Sequence, residues 1–168
     1  KNVLSTMMMS FAALALIGLL WVLYGYSLGF GPDKGGLIGG LSFVGLRQVG
    51  QEPSPIYATT VPHLAFMIFQ AMFAIVTVAL ITGAVVERMK FSGLLAFFAL
   101  WFTVVYCPVV HWVWGNGGWL ARLDTLDFAG GIVVHVTAGV SALALLRLLG
   151  PRKSFLKREL MEPHNLPI

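Results

Sequence analysis

The chain has 168 residues, of which 58% are hydrophobic and only 11% are charged, and its formal net charge is +4. Soluble domains carry about a quarter charged residues, so a water-soluble core is excluded, and the small positive charge does not indicate nucleic-acid binding. The single cysteine, Cys107, excludes an internal disulfide framework and a cysteine-based metal site. The composition indicates neither a metal nor a cofactor.

Four apolar segments are long enough to cross a bilayer as helices, which requires about 20 residues at 1.5 Å each. They cover residues 3–30, 61–86, 91–114 and 128–147. The first exceeds the length of a signal-peptide core and has no cleavage site of small residues, so it is predicted to span the membrane. The sequence therefore predicts an all-α, polytopic membrane helix bundle. The 31–60 connection is long for a compact protein and is expected to hold a short helix or a folded-over segment.

Lysine and arginine residues are distributed unevenly between the two ends of the predicted helices. Eight lie at one end: Lys1, Arg88, Lys90, Arg147, Arg152, Lys153, Lys157 and Arg158. Three lie at the other end: Lys34, Arg47 and Arg122. Positive residues favour the cytoplasmic side, so both chain ends and the 87–90 turn are predicted to be cytoplasmic. The 31–60 and 115–127 connections are then expected outside.

His135 and Asp127 are the ionisable residues associated with the fourth span. Eight residues separate them, which in a helix corresponds to roughly 12 Å along the axis, so the side chains are not expected to touch. Ionisable groups at membrane depth are functional candidates, so His135 could line a polar path and Asp127 could shape its outer mouth. Alternatively, Asp127 caps a helix that starts at Phe128, and His135 is a core histidine bonded to a neighbouring helix.

Aromatic residues gather near the predicted outer ends of two spans. Phe69 and Phe73 are one helical turn apart and share a face, while Trp114 ends the His111–Trp114 stretch of the third span. Ordinary packing and an interfacial anchor are the simpler interpretations. Together with Asp127, however, the rings could attract a small cation through their π faces and the local field.

Glycine and the remaining histidines are interpreted structurally. Gly130, Gly131 and Gly139 permit close approach between helices, which is a packing signal compatible with any helical bundle. His63 and His164 are assigned no site role, because each is expected to be structural or solvated.

Taken together, several motifs are more specific than any one of them. They are Phe69-Gln70-Ala71-Met72-Phe73-Ala74, the Gly83-Ala84 and Glu87-Arg88 pairs, Asp127-Phe128-Ala129-Gly130-Gly131 with Val134-His135, and Pro163-His164-Asn165-Leu166-Pro167. With this spacing the chain resembles the ammonium transporter family (Amt/Mep/Rh) over essentially its whole length. The resemblance implies an eleven-helix fold with an inverted repeat, of which this chain would be a fragment covering about the second to fifth helices.

The resemblance also implies roles for five residues. Phe69 and Trp114 match the aromatic residues of the outer ammonium-binding site, and Phe73 matches the phenyl gate below them. Asp127 matches the acidic residue that supports the outer site, and His135 matches the first of two histidines that line the pore. The second histidine, and the hydroxyl side chain that completes the outer site, would belong to helices absent from this sequence.

The expected function is ammonium transport across the membrane rather than enzymatic catalysis. Family resemblance further implies a homotrimer in the cell (inner) membrane, in contact with the lipid bilayer, and a possible cytoplasmic PII-type regulatory partner. Conduction of ammonia alone and conduction with a separate proton are both compatible with these residues. The alternatives are a Rh-like gas channel and an ammonium sensor. A membrane enzyme using Asp127 and His135 is disfavoured by their separation.

Overall fold

The computed structural model describes residues 3–156, and within them four helices are long and apolar enough to cross a membrane. They are α1 (Val3–Phe30), α2 (His63–Val85), α3 (Phe91–Trp114) and α4 (Gly131–Leu149). A one-turn helix, α5 (Lys153–Leu156), follows. The predicted helix bundle is confirmed, although α4 begins three residues later than predicted. The 1–2 and 157–168 segments, which contain Lys1, Lys157, Arg158 and the Pro163–Pro167 motif, lie outside the described residues.

Three of the four long helices contain a π-helical stretch of five or six residues. These stretches are Trp21–Gly25 in α1, Phe102–Tyr106 in α3 and Gly131–Val136 in α4. Such wide turns are frequent at functional sites. The stretch in α4 contains His135, so its side chain does not follow the direction that a regular α-helix would give it.

An aromatic cluster forms the contact between α1 and α3. Trp21 is fully buried, and its ring makes edge contacts with Tyr26 and Phe30 of α1 and with Phe102 and Tyr106 of α3. Its indole N–H donates to the carbonyl of Met67 in α2 at 3.2 Å, so one side chain joins three helices. A buried indole usually needs such a partner. The cluster fixes the relative positions of the helices that carry the candidate site.

The 31–60 connection folds into two small antiparallel hairpins separated by a 3-10 turn. The first pairs β1 (Asp33–Lys34) with β2 (Ile38–Gly39), and the second pairs β3 (Pro53–Ser54) with β4 (Ala58–Pro62). The 3-10 turn covers Val44–Leu46. The expected folded-over segment is therefore present, and the hairpins that build it were not predicted.

The two long connections lie together at one end of the bundle, which we call the loop end. The Arg122 guanidinium donates to the carboxylate of Asp33 at 2.8 Å, and the backbone N–H of Trp119 donates to the carbonyl of Gly36 at 3.1 Å. At the opposite end, which we call the turn end, residues 86–90 join α2 to α3. The predicted pairing of the 31–60 and 115–127 connections on one side is confirmed.

Candidate functional site

The aromatic residues singled out from the sequence line one cleft at the loop end. The rings of Phe69 and Phe73 lie 5.0 Å apart, and those of Phe73 and Trp114 lie 5.3 Å apart, both with edge-to-face geometry. The cleft has a volume of about 420 Å³. We call it the aromatic cleft, and it is lined by Phe30, Ile56, Tyr57, Phe66, Phe69, Gln70, Phe73, Val113, Trp114, Asp127 and Phe128.

Phe69 and Phe73 differ in exposure although they share a helix face. Phe69 is 56% exposed, whereas Phe73 is only partly exposed and lies between the rings of Phe69 and Trp114. The order of the three rings thus runs from an open ring to a more enclosed one. A cation at Phe69 would meet a π face while still partly hydrated.

Asp127 caps the start of α4 with both carboxylate oxygens. Oδ1 accepts from the backbone N–H groups of Gly130 and Gly131 at 2.7 Å, and Oδ2 accepts from those of Ile132 and Val133 at 2.8 and 2.9 Å. A helix leaves its first four N–H groups without internal partners, and this one carboxylate accepts from four consecutive N–H groups at the start of α4. The capping interpretation is therefore confirmed, with the helix starting at Gly131 rather than Phe128.

The four hydrogen bonds determine the charge state of Asp127. Burial opposes its ionisation, but the N–H groups of Val133, Ile132, Gly131 and Gly130 together outweigh burial and lower the pKa of the carboxyl. The carboxylate is therefore negative at neutral pH, and the positive end of the α4 dipole balances much of its field.

The backbone of Asp127 also holds Trp114. The Trp114 indole N–H donates to the carbonyl oxygen of Asp127 at 2.7 Å. Since the side chain of the same residue fixes the start of α4, the orientation of the Trp114 ring is tied to that helix. Gly130 makes this turn possible: its backbone is left-handed (φ +86°), and a Cβ there would lie 2.6 Å from Val134 Cγ2. The connection between α3 and α4 therefore positions a ring of the aromatic cleft.

His135 lies on α4, but it does not line the aromatic cleft. Its side chain is exposed in the described part of the chain, and Nδ1 donates to the carbonyl of Gly130 in the same segment at 3.0 Å. Within residues 3–156, His135 thus bonds to its own segment and not to a neighbouring helix, which differs from its interpretation as a core histidine. The close-approach role expected for Gly139 is wrong within residues 3–156, because a Cβ at this position would meet nothing within 4 Å.

Two polar residues of the aromatic cleft were not predicted as site residues. Tyr57 comes from the 31–60 connection, and its hydroxyl accepts from the Asn116 N–H at 2.9 Å. Burial raises the pKa of the Tyr57 phenol, so it stays neutral. Gln70 is only 7% exposed, and its Oε1 has no hydrogen-bond partner in the part of the chain that the structure describes. The sequence feature that could have identified Gln70 was its position beside Phe69 inside an apolar span, because burying a polar side chain costs free energy unless it is hydrogen-bonded.

A second polar cluster, away from the aromatic cleft, holds the loop end together. His111 is fully buried; its Nδ1 donates to the Gly29 carbonyl at 2.8 Å and its Nε2 lies 3.0 Å from Asp33 Oδ1. The hydrogen bond from His111, the Gly36 N–H and the charge of Arg122 lower the pKa of Asp33, against a smaller opposing effect of burial. Across residues 3–156, no group of three or more His, Cys, Asp or Glu residues is arranged to hold a metal ion.

Four apolar helices and an aromatic cleft at one end define the class as a multi-pass membrane protein. The family model described as the Ammonium Transporter Family matches residues 1–168, and the chain belongs to this family. It is 51% identical to an ammonium transporter of Bacillus subtilis over 99% of this chain and 40% of that protein. The chain thus spans about 40% of the length of the curated relatives it matches.

Solved structures give the same result. The crystal structure of Candida albicans Mep2 aligns with a TM-score of 0.77 and 42% identity, over 83% of this chain and 30% of that one. A structure described as a sensor Amt protein aligns with a TM-score of 0.78 and 29% identity, over 90% of this chain and 37% of that one. The predicted family resemblance is confirmed.

Proposed function

We propose that this chain is part of an eleven-helix ammonium transporter and that the aromatic cleft recruits the ammonium ion. Phe69 and Trp114 bind the ion, Phe73 gates the path below them, Asp127 supports the site and His135 lines the pore. The observation that carries this proposal is the continuous contact of the Phe69, Phe73 and Trp114 rings in one cleft. Membership of the family supports the choice of ammonium as the substrate.

Energetics favour passage of ammonia over passage of the intact ion. Moving an ion of this size into an apolar medium costs of order 20 kcal/mol in the Born limit, whereas a cation–π contact returns about 0.5–2 kcal/mol. Removing a proton from an amine with a pKa of about 10.4 at pH 7 costs about 4–5 kcal/mol. Deprotonation near Phe73, in which the N–H bond breaks and the proton passes to water at the mouth of the cleft, is therefore the cheaper route, and it leaves neutral ammonia to cross the apolar segment.

In this mechanism Asp127 orients the Trp114 ring and does not bind the cation directly. Its oxygens already accept four backbone N–H groups, so they have little capacity left for a direct bond to a cation. Its carbonyl instead orients the Trp114 ring at the cleft. Asp127 is thus a positioning residue of the proposed site.

His135 supplies a hydrogen-bonding edge along the proposed path. Because Nδ1 donates to the Gly130 carbonyl, the opposite nitrogen, Nε2, is directed away from that bond. In the complete protein this nitrogen is available to ammonia as it passes. Whether the proton follows by a separate route decides whether transport is electrogenic, and current recording on the reconstituted protein measures that directly.

The proposal is tested by ammonium uptake in the complete polypeptide reconstituted in vesicles. Phe73→Ala and His135→Ala are each expected to change the rate or selectivity of uptake by at least about tenfold, because each removes a group from the path. Phe91→Ala is a matched control, since Phe91 is exposed at the turn end and outside the cleft. Both variants should insert and assemble as the wild type does. Wild-type protein that fails to transport ammonium would overturn the proposal, and variants with unchanged flux would remove Phe73 and His135 from it.

A second candidate function is an ammonium sensor, and the alignment to the structure described as a sensor Amt protein favours it. Both functions need the same recruitment site. A sensor would couple occupancy of the aromatic cleft to a signalling domain elsewhere in the polypeptide. Ammonium binding without measurable flux would select this alternative.

We also propose a homotrimer in the cell (inner) membrane, with the turn end in the cytoplasm and a PII-type protein as a regulatory partner there. The excess of Lys and Arg at the turn end supports this orientation. Cross-linking of the purified protein tests the trimer, and co-purification with a PII-type protein tests the partner.

A further inference from the structure

An ammonium ion in the aromatic cleft needs hydrogen-bond acceptors as well as rings. The ion carries four N–H donors, and each one that loses water on entering a site must find another acceptor. Aromatic faces attract the charge but accept only weak hydrogen bonds. The polar part of the cleft therefore determines how much of the hydration shell can be replaced.

Three acceptor groups in the described lining of the aromatic cleft are already engaged within the chain. The Asp127 carboxylate accepts four backbone N–H groups, and the Asp127 carbonyl accepts the Trp114 indole. The Tyr57 hydroxyl accepts the N–H of Asn116. Gln70 differs, because its Oε1 is buried and has no hydrogen-bond partner among residues 3–156.

Gln70 is placed to serve the same ligand as the phenyl rings. It directly follows Phe69 on α2 and precedes Phe73 by three residues, which is a rotation of about 60° around the helix. All three residues line the aromatic cleft. The last torsion angle of a glutamine side chain is broad, so its amide can turn toward a ligand at small cost.

We propose that Gln70 is a further substrate-binding residue, whose side-chain carbonyl accepts a hydrogen bond from the ammonium ion in the aromatic cleft. This inference rests on the proposed function and deepens it. A buried acceptor without a partner destabilises the empty protein, and the ion relieves this when it binds. The free-energy cost of burying this acceptor without a partner is therefore present only in the unliganded protein, and its removal on binding favours the ammonium complex.

The test compares Gln70→Met with Gln70→Glu in the complete polypeptide. Methionine keeps a similar length without an acceptor, whereas glutamate keeps a carbonyl oxygen at the same distance from the backbone. We expect Gln70→Met to raise the apparent KM for ammonium about tenfold with a much smaller change in kcat. Gln70→Glu should keep the KM within about threefold of the wild-type value.

Thermal stability without ammonium separates a binding role from a structural one. If Oε1 has no partner in the empty protein, Gln70→Met should leave the melting temperature unchanged or raise it. Met67→Leu, a buried substitution one turn away on α2, serves as the matched control for packing.

Two outcomes would overturn the inference while leaving ammonium transport intact. The first is an unchanged KM in Gln70→Met. The second is a lowered melting temperature in Gln70→Met, since this would show that the amide is bonded within the protein. Absence of ammonium uptake by the wild type is a different result, because it would reject the proposed function itself.

Discussion

Asp127 shows how one residue can fix both the start of a helix, through its side chain, and the orientation of a ring of the aromatic cleft, through its backbone. Its carboxylate accepts four N–H groups of α4, and its carbonyl accepts the indole of Trp114. The sequence allowed two interpretations, a cap and a contributor to an outer site. The structure confirms the cap, and the bond to Trp114 supports the proposal that the same residue serves the site.

The role of Asp127 predicts a dependence of stability on pH. Its folded-state pKa is lowered, so its contribution is present above the unfolded pKa of about 3.9 and is lost as the pH falls through the folded value. We expect Asp127→Asn to lower the free energy of unfolding by about 1 kcal/mol at neutral pH, because the amide NH2 that replaces one carboxylate oxygen cannot accept the two backbone N–H groups bound there. The difference from the wild type should shrink as the pH falls below about 4, because the unfolded wild-type chain takes up a proton on this carboxyl at a higher pH than the folded protein does. Melting temperatures in detergent across this range measure both effects.

Asp124→Asn is the matched control for this experiment. Asp124 is an exposed carboxylate in the same connection, so its replacement is expected to change stability by less than about 0.5 kcal/mol. An Asp127→Asn variant that melts with the wild type at neutral pH would show that the charge and the second acceptor oxygen of Asp127 contribute nothing to folding.

At the scale of the helices, the close contact of α1 with α3 depends on a glycine. A Cβ at Gly25 would lie 2.3 Å from Phe102 Cζ, within the π-helical stretch of α1. We expect Gly25→Ala to lower stability by about 1–3 kcal/mol, because the Phe102 ring and the aromatic cluster around Trp21 must shift. Thermal unfolding in detergent measures the loss.

Gly83 provides the matched control on α2. A Cβ at Gly83 would meet nothing within 4 Å in the described chain, so Gly83→Ala should be neutral or stabilise the helix by up to about 1 kcal/mol. Equal effects of the two substitutions would contradict the packing account of α1 and α3.

The connections between helices carry more of the site than their sequences indicated. Tyr57 reaches the aromatic cleft from the second hairpin, and the rings of Tyr57 and Phe66 stack at 5.6 Å. The hairpins depend on backbone pairing between strands of two to five residues, which are too short to show a periodic pattern. Their contribution to the cleft could not be predicted for that reason.

At the scale of the whole molecule, the two ends of the bundle differ in charge and in structure. The loop end carries the hairpins, the Asp33–Arg122 ion pair and the aromatic cleft. The turn end carries the short 86–90 connection and five of the eight lysine and arginine residues within residues 3–156. The charge distribution predicts that the loop end faces outward.

Cysteine labelling measures this orientation. Cys107 is fully buried and should not react, so Lys34→Cys and Lys90→Cys can be labelled individually at exposed positions. In a background without other cysteines, a membrane-impermeant maleimide should label Lys34→Cys in intact cells. Lys90→Cys should react only after permeabilisation. The reverse pattern would show that the loop end is cytoplasmic.

The sequence by itself determined the number of spans, their approximate limits and the family. These properties depend on local features: the length of an apolar run is set by the bilayer thickness, and the motifs are continuous strings such as Phe69–Ala74. It also identified Phe69, Phe73 and Trp114 as candidates that belong together. Their edge-to-face contacts in one cleft agree with that grouping.

Only the tertiary structure decided which other residues surround Phe69, Phe73 and Trp114 and which contacts hold the loop end together. Tyr57 reaches the cleft, and buried His111 contacts Asp33, from segments that are far apart in sequence. The lack of a partner for Gln70 Oε1 among residues 3–156 likewise depends on what surrounds it in the fold. A left-handed Gly130 and a π-helical start of α4 set the direction of His135. Such features arise from competition among packing, backbone geometry and hydrogen bonding in three dimensions, and no local pattern of residues encodes the result.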